Sequence, residues 1–179
     1  MRETFGAASR PFLSSPWPWV AWGIVLPAAA LLTPAALAAA GPGGVLFLWS
    51  AAILTGGAVE GLTILRRRDR EGSTPLASWV LRIQGNLSLV AVALSLFLLW
   101  AEAAWALPGV WLLLLGHSLY VLGGFALPPL RWTGLAYQIG GAAALVPGWD
   151  SLAAFALTTA AANLWAAAVI WRRRPRPAR

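Results

Sequence analysis

Apolar runs too long for a soluble core govern what this chain can become. A helix that crosses the hydrocarbon of a bilayer needs about 20 predominantly apolar residues, each rising 1.5 Å. Six segments meet that requirement: residues 17–40, 44–65, 83–105, 109–127, 132–147 and 151–171. The fifth is short, so it would tilt little or thin the bilayer locally. Composition agrees, because 59% of the 179 residues are hydrophobic and 11% charged, whereas soluble domains run at about 45–50% and about 25%. The expected fold is all-α, a polytopic membrane bundle of six transmembrane helices forming a single domain, with residues 172–179 as a basic tail. The longest polar stretch, residues 66–75, reads as a connecting loop and not as a domain boundary.

Arginine placement predicts the orientation, since connections that stay in the cytoplasm retain positive charge. Arg2 and Arg10 precede the first segment, Arg66, Arg67, Arg68 and Arg70 fill the second connection, Arg131 lies in the fourth, and the tail carries Arg172, Arg173, Arg174, Arg176 and Arg179. The connections around residues 41–43, 107–108 and 148–150 have none. Both termini are therefore expected in the cytoplasm, with Glu102 and Asp150 on the far side. Tryptophans at segment ends, Trp17, Trp19, Trp79, Trp105, Trp132, Trp149 and Trp171, fit the interfacial belt. One alternative concerns the first segment: "ALAAAG" at residues 36–41 resembles a small-residue signal-peptidase site. Its apolar stretch exceeds the usual h-region of about 7–15 residues, which favours a retained helix. Asn-Leu pairs recur in the third helix of each half, Asn86-Leu87 and Asn163-Leu164, but two matching residues do not make a repeat.

A net charge of +7, all thirteen basic residues being arginine, would suit nucleic acid only on a water-soluble basic face. No segment here could form one, so no nucleic-acid partner is expected. Interleaved proline keeps the tail extended, and its arginines, like those of the 66–70 loop, are expected to attract anionic lipids. The absence of cysteine excludes disulfides and thiolate chemistry. Metalloprotease, serine-hydrolase and phosphate-loop motifs are missing, as are closely spaced carboxylates for acid–base work. His117 is the single histidine, and a zinc site needs three or four protein ligands. The chain is thus expected to be no enzyme, with no cofactor and no metal.

Within the apolar runs a few polar residues stand out. Glu60 and Arg82 lie eleven residues either side of Glu71 in the second connection, so the sequence places them at similar depth. Ionisable groups in hydrocarbon cost at least about 2.5–3.5 kcal/mol and tend to pair. An interhelical Glu60–Arg82 ion pair is the expectation, beside Gly57-x-x-x-Gly61, which permits close helix approach. Arg82 and Asn86 are one turn apart, and His117 and Tyr120 share a face of the fourth helix. With Gln138 and Asn163 these residues compose a candidate polar pocket: Glu60, Arg82, Asn86, His117, Tyr120, Gln138 and Asn163.

The run "LPGVWLLLLGHSLYVLGGFALPPLRWTGLAYQIGGAAALVP", residues 107–147, resembles a pattern in uncharacterised small bacterial multi-pass inner-membrane proteins. A Leu-Pro entry, a Leu-rich helix, a Pro-containing basic turn and a Gly/Ala-rich helix follow in the same order. The resemblance implies the bacterial cytoplasmic (inner) membrane as the location and carries no activity.

The expected role is a non-catalytic accessory or scaffold subunit packing against other membrane proteins or itself. Its motivating feature is a set of small-residue faces, with Gly56, Gly57, Gly61, Gly116, Gly123 and Gly124 as examples. A small oligomeric transporter or channel using the polar pocket, and a lipid or hydrophobic-ligand sensor, are the alternatives.

Overall fold

The structure is a computed structural model describing residues 15–71, 75–125 and 128–172, with side-chain surroundings for 15–66, 82–123 and 129–172. Arg2, Arg10, Trp79, Gly124 and the arginines beyond 172 fall outside the described surroundings. The described residues are all-α. They form α1 (Trp17–Glu71), α2 (Pro75–Trp100), a short 3-10 turn (Ala104–Ala106), α3 (Leu107–Phe125), α4 (Pro128–Ala144) and α5 (Ser151–Arg172).

The first two predicted segments are continuous in α1, interrupted only at Ala40 (φ −140°, ψ 16°) and Gly41 (φ 61°, ψ −156°). Gly41 occupies a region open essentially to glycine alone. Pro42 follows, supplying a fixed φ suited to the first position of a renewed helix. Two cross-arm bonds show that the chain reverses here. Thr33 and Trp49 lie eight residues either side of Gly41, Trp22 and Glu60 nineteen, and each pair is hydrogen-bonded. Pairs equidistant from one centre define an antiparallel hairpin.

Later boundaries follow local chemistry. α2 begins at Pro75, eight residues ahead of the expected start, and ends at Trp100, just before Ala103 N–H donates back to the Leu98 carbonyl at 2.8 Å. Glu102 takes φ 56° in this closure, the position helix C-termini usually give to glycine. α4 starts on Pro128-Pro129, where a missing N–H is harmless. It stops at Ala144, ahead of the turn through Pro147 and Gly148 (φ 84°). Asp150 caps α5, its Oδ1 accepting from the N–H groups of Leu152 and Ala153 at 3.0 Å each, as an N-cap carboxylate should.

Two kinds of packing hold the bundle. On α5 the buried residues Phe155, Ala156, Thr159, Ala162, Asn163, Ala166, Ala167 and Ile170 follow the 3, 4 spacing of one helical stripe. That stripe meets the first arm of α1 and α4, with Ala30, Leu112, Tyr137 and Ala144 completing the core. Between α3 and α4 the contact is backbone on backbone. Gly109, Gly116 and Gly123 recur every seventh residue, and so do Gly134 and Gly141. A Cβ on Gly116 would lie 2.8 Å from the Gly134 carbonyl oxygen, and one on Gly109 2.9 Å from that of Gly141. A seven-residue period keeps one seam facing its partner along the helix, and glycine there lets the backbones close in.

A repeat also becomes visible, and it differs from the two halves suggested by the Asn-Leu pairs. Thr33 Oγ1 donates to the Ala29 carbonyl and accepts from Trp49 Nε1 at 3.0 Å. Ser95 Oγ donates to the Ala91 carbonyl and accepts from Trp111 Nε1 at 3.0 Å. Every member of the second set lies 62 residues after its counterpart in the first. The offset extends to the next contact: Trp22 packs on Gly56, and Gln84 accepts from Ser118. The α1 hairpin and the α2–α3 hairpin are therefore parallel copies of one unit.

Among the described residues, four stretches are long and apolar enough to cross a membrane: Trp17–Arg66, Arg82–Trp100, Ala104–Gly123 and Ser151–Arg172. The first is 50 residues long and folded on itself at Gly41, while α4, at 17 residues, falls just short.

Candidate functional site

Most polar contacts form within one hairpin, Tyr120 with Arg131 being a contact between two, and the seven candidates disperse accordingly. Glu60 is half-buried on the second arm of α1, where Oε2 accepts from Trp22 Nε1 at 3.0 Å. Arg82 is exposed on α2, and among the described residues no ion pair joins it to Glu60. The expectation of pairing rested on equal depth alone. Equal depth did not supply contact, because the second arm of α1 faces its own first arm, and α2 packs on α3 and the 3-10 turn.

Asn163 and Tyr137 do meet. The Asn163 amide Nδ2 donates to the phenolic oxygen of Tyr137 at 2.7 Å between α5 and α4, both residues buried. Thr133 and Thr159, also buried, bond back to carbonyls of their own helices. On α3, Ser118 donates to Gln84 Oε1 at 3.0 Å across to α2. Tyr120 accepts from Arg131 Nη2 at 2.8 Å, and the guanidinium carbon lies 4.9 Å from its ring centroid. Gln138 is half-buried with its Cγ and backbone against Gly116. His117 is exposed, and no group of three or more potential metal ligands occurs among the described residues.

Arg82 and Asn86 lie together on an open surface groove. A groove of about 450 Å³ is lined by Arg82, Ile83, Asn86, Leu87 and Val90, all on α2. A second, of about 250 Å³, lies at the opposite end, lined by Trp105, Val146, Pro147, Gly148, Trp149 and Ser151.

The most open element is α2 itself. Among its residues from 82 to 100 only Ala91 is buried, and Leu89, Val92, Leu96, Phe97 and Trp100 are each at least half exposed. The 62-residue offset gives that openness a meaning. On the first arm of α1, Gly23 seats the Asn163 and Leu164 side chains of α5, and Leu26 and Ala30 join the same core. Their counterparts on α2 are Gly85, Ser88 and Val92. All three are exposed, and a Cβ on Gly85 would meet nothing within 4 Å. The seat filled by α5 in the first hairpin is thus uncovered by the described residues of the second. The small-residue faces expected from sequence divide the same way: Gly56, Gly116 and Gly123 are internal, covered by Trp22, α4 and Arg131, while Gly57 and Gly61 face open space.

Sequence reasoning missed Trp22, Trp49, Trp111, Thr33, Ser95 and Ser118. Two signals were present: Trp-to-hydroxyl spacings of sixteen residues occurring twice at an offset of 62, and glycines every seventh residue. Comparison with protein-family models, curated proteins and solved structures finds no match for this chain.

Proposed function

We propose that this chain is a six-span integral membrane protein of the bacterial inner membrane that acts as a non-catalytic accessory or scaffold subunit, presenting the open face of α2 to a helix of another membrane protein. The observation that carries this reading is the uncovered seat at Gly85, Ser88 and Val92, equivalent by the internal repeat to the occupied seat at Gly23, Leu26 and Ala30. Lipid tails are as apolar as leucine, so association between spans relies on close packing, which small residues permit. Polar groups here pair off in separate two-residue contacts instead of lining one path, which favours a scaffold over a transporter.

The spans supporting this reading are the two arms of α1 with α2, α3, α4 and α5. Hairpin centres at Gly41, Ala103 and Asp150 fall in arginine-free connections, while Arg66 and Arg131 lie by the intervening ones. Both termini then belong on the arginine-rich, cytoplasmic side. Exposed Trp17, Trp105, Trp132, Trp149 and Trp171 suit the two interfaces.

The native chain lacks cysteine, so single cysteines test the reading directly. In native membranes, Gly85→Cys and Val92→Cys are expected to cross-link to a discrete partner band and Ala91→Cys is not. The absence of a partner adduct at Gly85, Ser88 and Val92 alike rejects the docking role. A cysteine in residues 72–74 labelled from outside intact cells rejects the orientation.

A further inference from the structure

We propose that Arg82 and Asn86 hold the phosphate of an anionic phospholipid, one acyl chain of which lies along Leu87 and Val90. This site rests on the membrane reading above, and occupies a different flank of α2 from the Gly85–Val92 seat. At 100° per residue, Arg82, Ile83, Asn86, Leu87 and Val90 centre about 160° round the helix from Gly85, Ser88 and Val92, with Arg82 and Gly85 the two members nearest each other.

Four features specify the ligand. First, Arg82 is an exposed cation with no hydrogen-bond or ion-pair partner among the described residues, and the carboxylate best placed by sequence, Glu60, is engaged by Trp22. Second, Asn86 stands one turn away in the same groove. The planar guanidinium fork matches phosphate oxygens, and the amide adds a neutral donor on the same face. Third, the remaining lining is Ile83, Leu87 and Val90, an apolar wall that a free inorganic anion cannot use but an acyl chain can. Fourth, depth agrees. Arg82 precedes the α2–α3 hairpin centre at Ala103 by twenty-one residues, a rise of about 30 Å along a helix, which equals the hydrocarbon thickness of about 30 Å. The guanidinium therefore reaches the phosphate plane of the arginine-rich leaflet, while Val90, two turns deeper, lies among the tails. Soluble carboxylates lack the tails that the groove accommodates, and a zwitterionic lipid offsets the phosphate with its own cation.

Native mass spectrometry of the full chain in mild detergent, titrated with phosphatidylglycerol, phosphatidylcholine or inorganic phosphate, tests the site. Wild type is expected to retain phosphatidylglycerol in preference to phosphatidylcholine. Arg82→Gln should lower that retention about fivefold, from the contribution of one arginine near an anionic leaflet, and Asn86→Leu should lower it less. Arg172→Gln, in the basic tail, should lower it less than Arg82→Gln. Equal retention by wild type and Arg82→Gln overturns the proposal, as does an equal loss in Arg172→Gln, which indicates diffuse attraction. Displacement of the lipid by millimolar inorganic phosphate overturns the lipid in favour of a free anion. A photoactivatable phosphatidylglycerol on unmodified protein gives an answer independent of variant folding: label is expected within residues 82–90, and label confined elsewhere overturns the site. Release of the chain by alkaline carbonate rejects the membrane reading itself, whereas a carbonate-resistant protein labelled elsewhere rejects only the lipid seat.

Discussion

Trp22 donates its indole N–H to Glu60 Oε2 at 3.0 Å across the α1 hairpin, while the same ring lies over Gly56 one turn away. One side chain thus supplies both the donor that satisfies a carboxylate in an apolar span and the flat surface that fills the space above a glycine. Coupling should therefore run between Glu60 and Trp22 and not between Glu60 and Arg82. In a double-mutant cycle read by thermal or denaturant unfolding in detergent, Glu60→Leu with Trp22→Phe is expected to give an interaction energy of about 0.6–1.7 kcal/mol, between the average and the maximum for hydrogen bonds between membrane helices. Glu60→Leu with Arg82→Leu should be additive to within about 0.3–0.5 kcal/mol. A large coupling in the second cycle and none in the first would restore the ion pair.

The same logic makes the two tryptophan–hydroxyl bonds comparable. Trp49 to Thr33 and Trp111 to Ser95 have equal length, equal sequence separation and the same carbonyl partner one turn back. Thr33→Ala and Ser95→Ala each remove an acceptor from a half-buried indole, and each is expected to destabilise the chain by about 0.5–1.5 kcal/mol. If only one of the two has an effect, the hairpins are not energetically equivalent copies.

Glycine substitutions should separate the seams that are closed from the faces that are open. Gly116→Ala sets a methyl 2.8 Å from the backbone oxygen of Gly134, an atom that no rotamer change can move. The α3–α4 pair must then part, costing about 1–3 kcal/mol. Gly57→Ala adds a methyl with nothing within 4 Å and should stabilise by about 0.4–1 kcal/mol by restricting the unfolded chain. Gly85→Ala shares that open surrounding, so it should also stabilise the isolated chain while weakening capture of a partner helix. Matching stability changes for Gly116→Ala and Gly57→Ala, measured side by side, would contradict the seam.

How much of this could be read from residues alone depends on range. Helix positions were legible because apolar length and Pro or Gly punctuation act locally: α5 spans residues 151–172 against an expected 151–171, and α3 starts two residues ahead of its expected first residue. The reversal at Gly41 was legible too, as a Gly-Pro break between two apolar runs. Which helix faces which was not. Glu60 could be assigned a depth but not an azimuth, since depth follows from counting residues and azimuth from the packing of the whole bundle. Glycine spacing carried azimuthal information for α3 and α4, because a seven-residue period fixes one seam, yet Gly116 and Gly123 looked the same in sequence as the open Gly57 and Gly61. Asn163 was recognised as polar within a span, but its partner Tyr137 lies 26 residues away on a helix whose rotation no local pattern sets.

That last pair provides the most demanding test of the core. Tyr137 and Asn163 are both almost fully buried, and the amide donates to the phenolic oxygen at 2.7 Å. Tyr137→Phe keeps the ring and removes the acceptor, leaving a buried amide donor without its partner at a cost of about 1–3 kcal/mol. Asn163→Leu removes the donor but also crowds Gly23, to which Asn163 Cβ already lies close enough that an added methyl there would sit 3.1 Å away. Asn163→Ala avoids the crowding and leaves the phenol unpaired. The double variant Tyr137→Phe, Asn163→Ala has no orphaned polar group, so it should be less destabilised than the sum of the two single changes by about 0.5–3 kcal/mol. Strict additivity in unfolding measurements would mean that the hydrogen bond contributes nothing and that α4 and α5 are joined by packing, including Gly140 against Thr158.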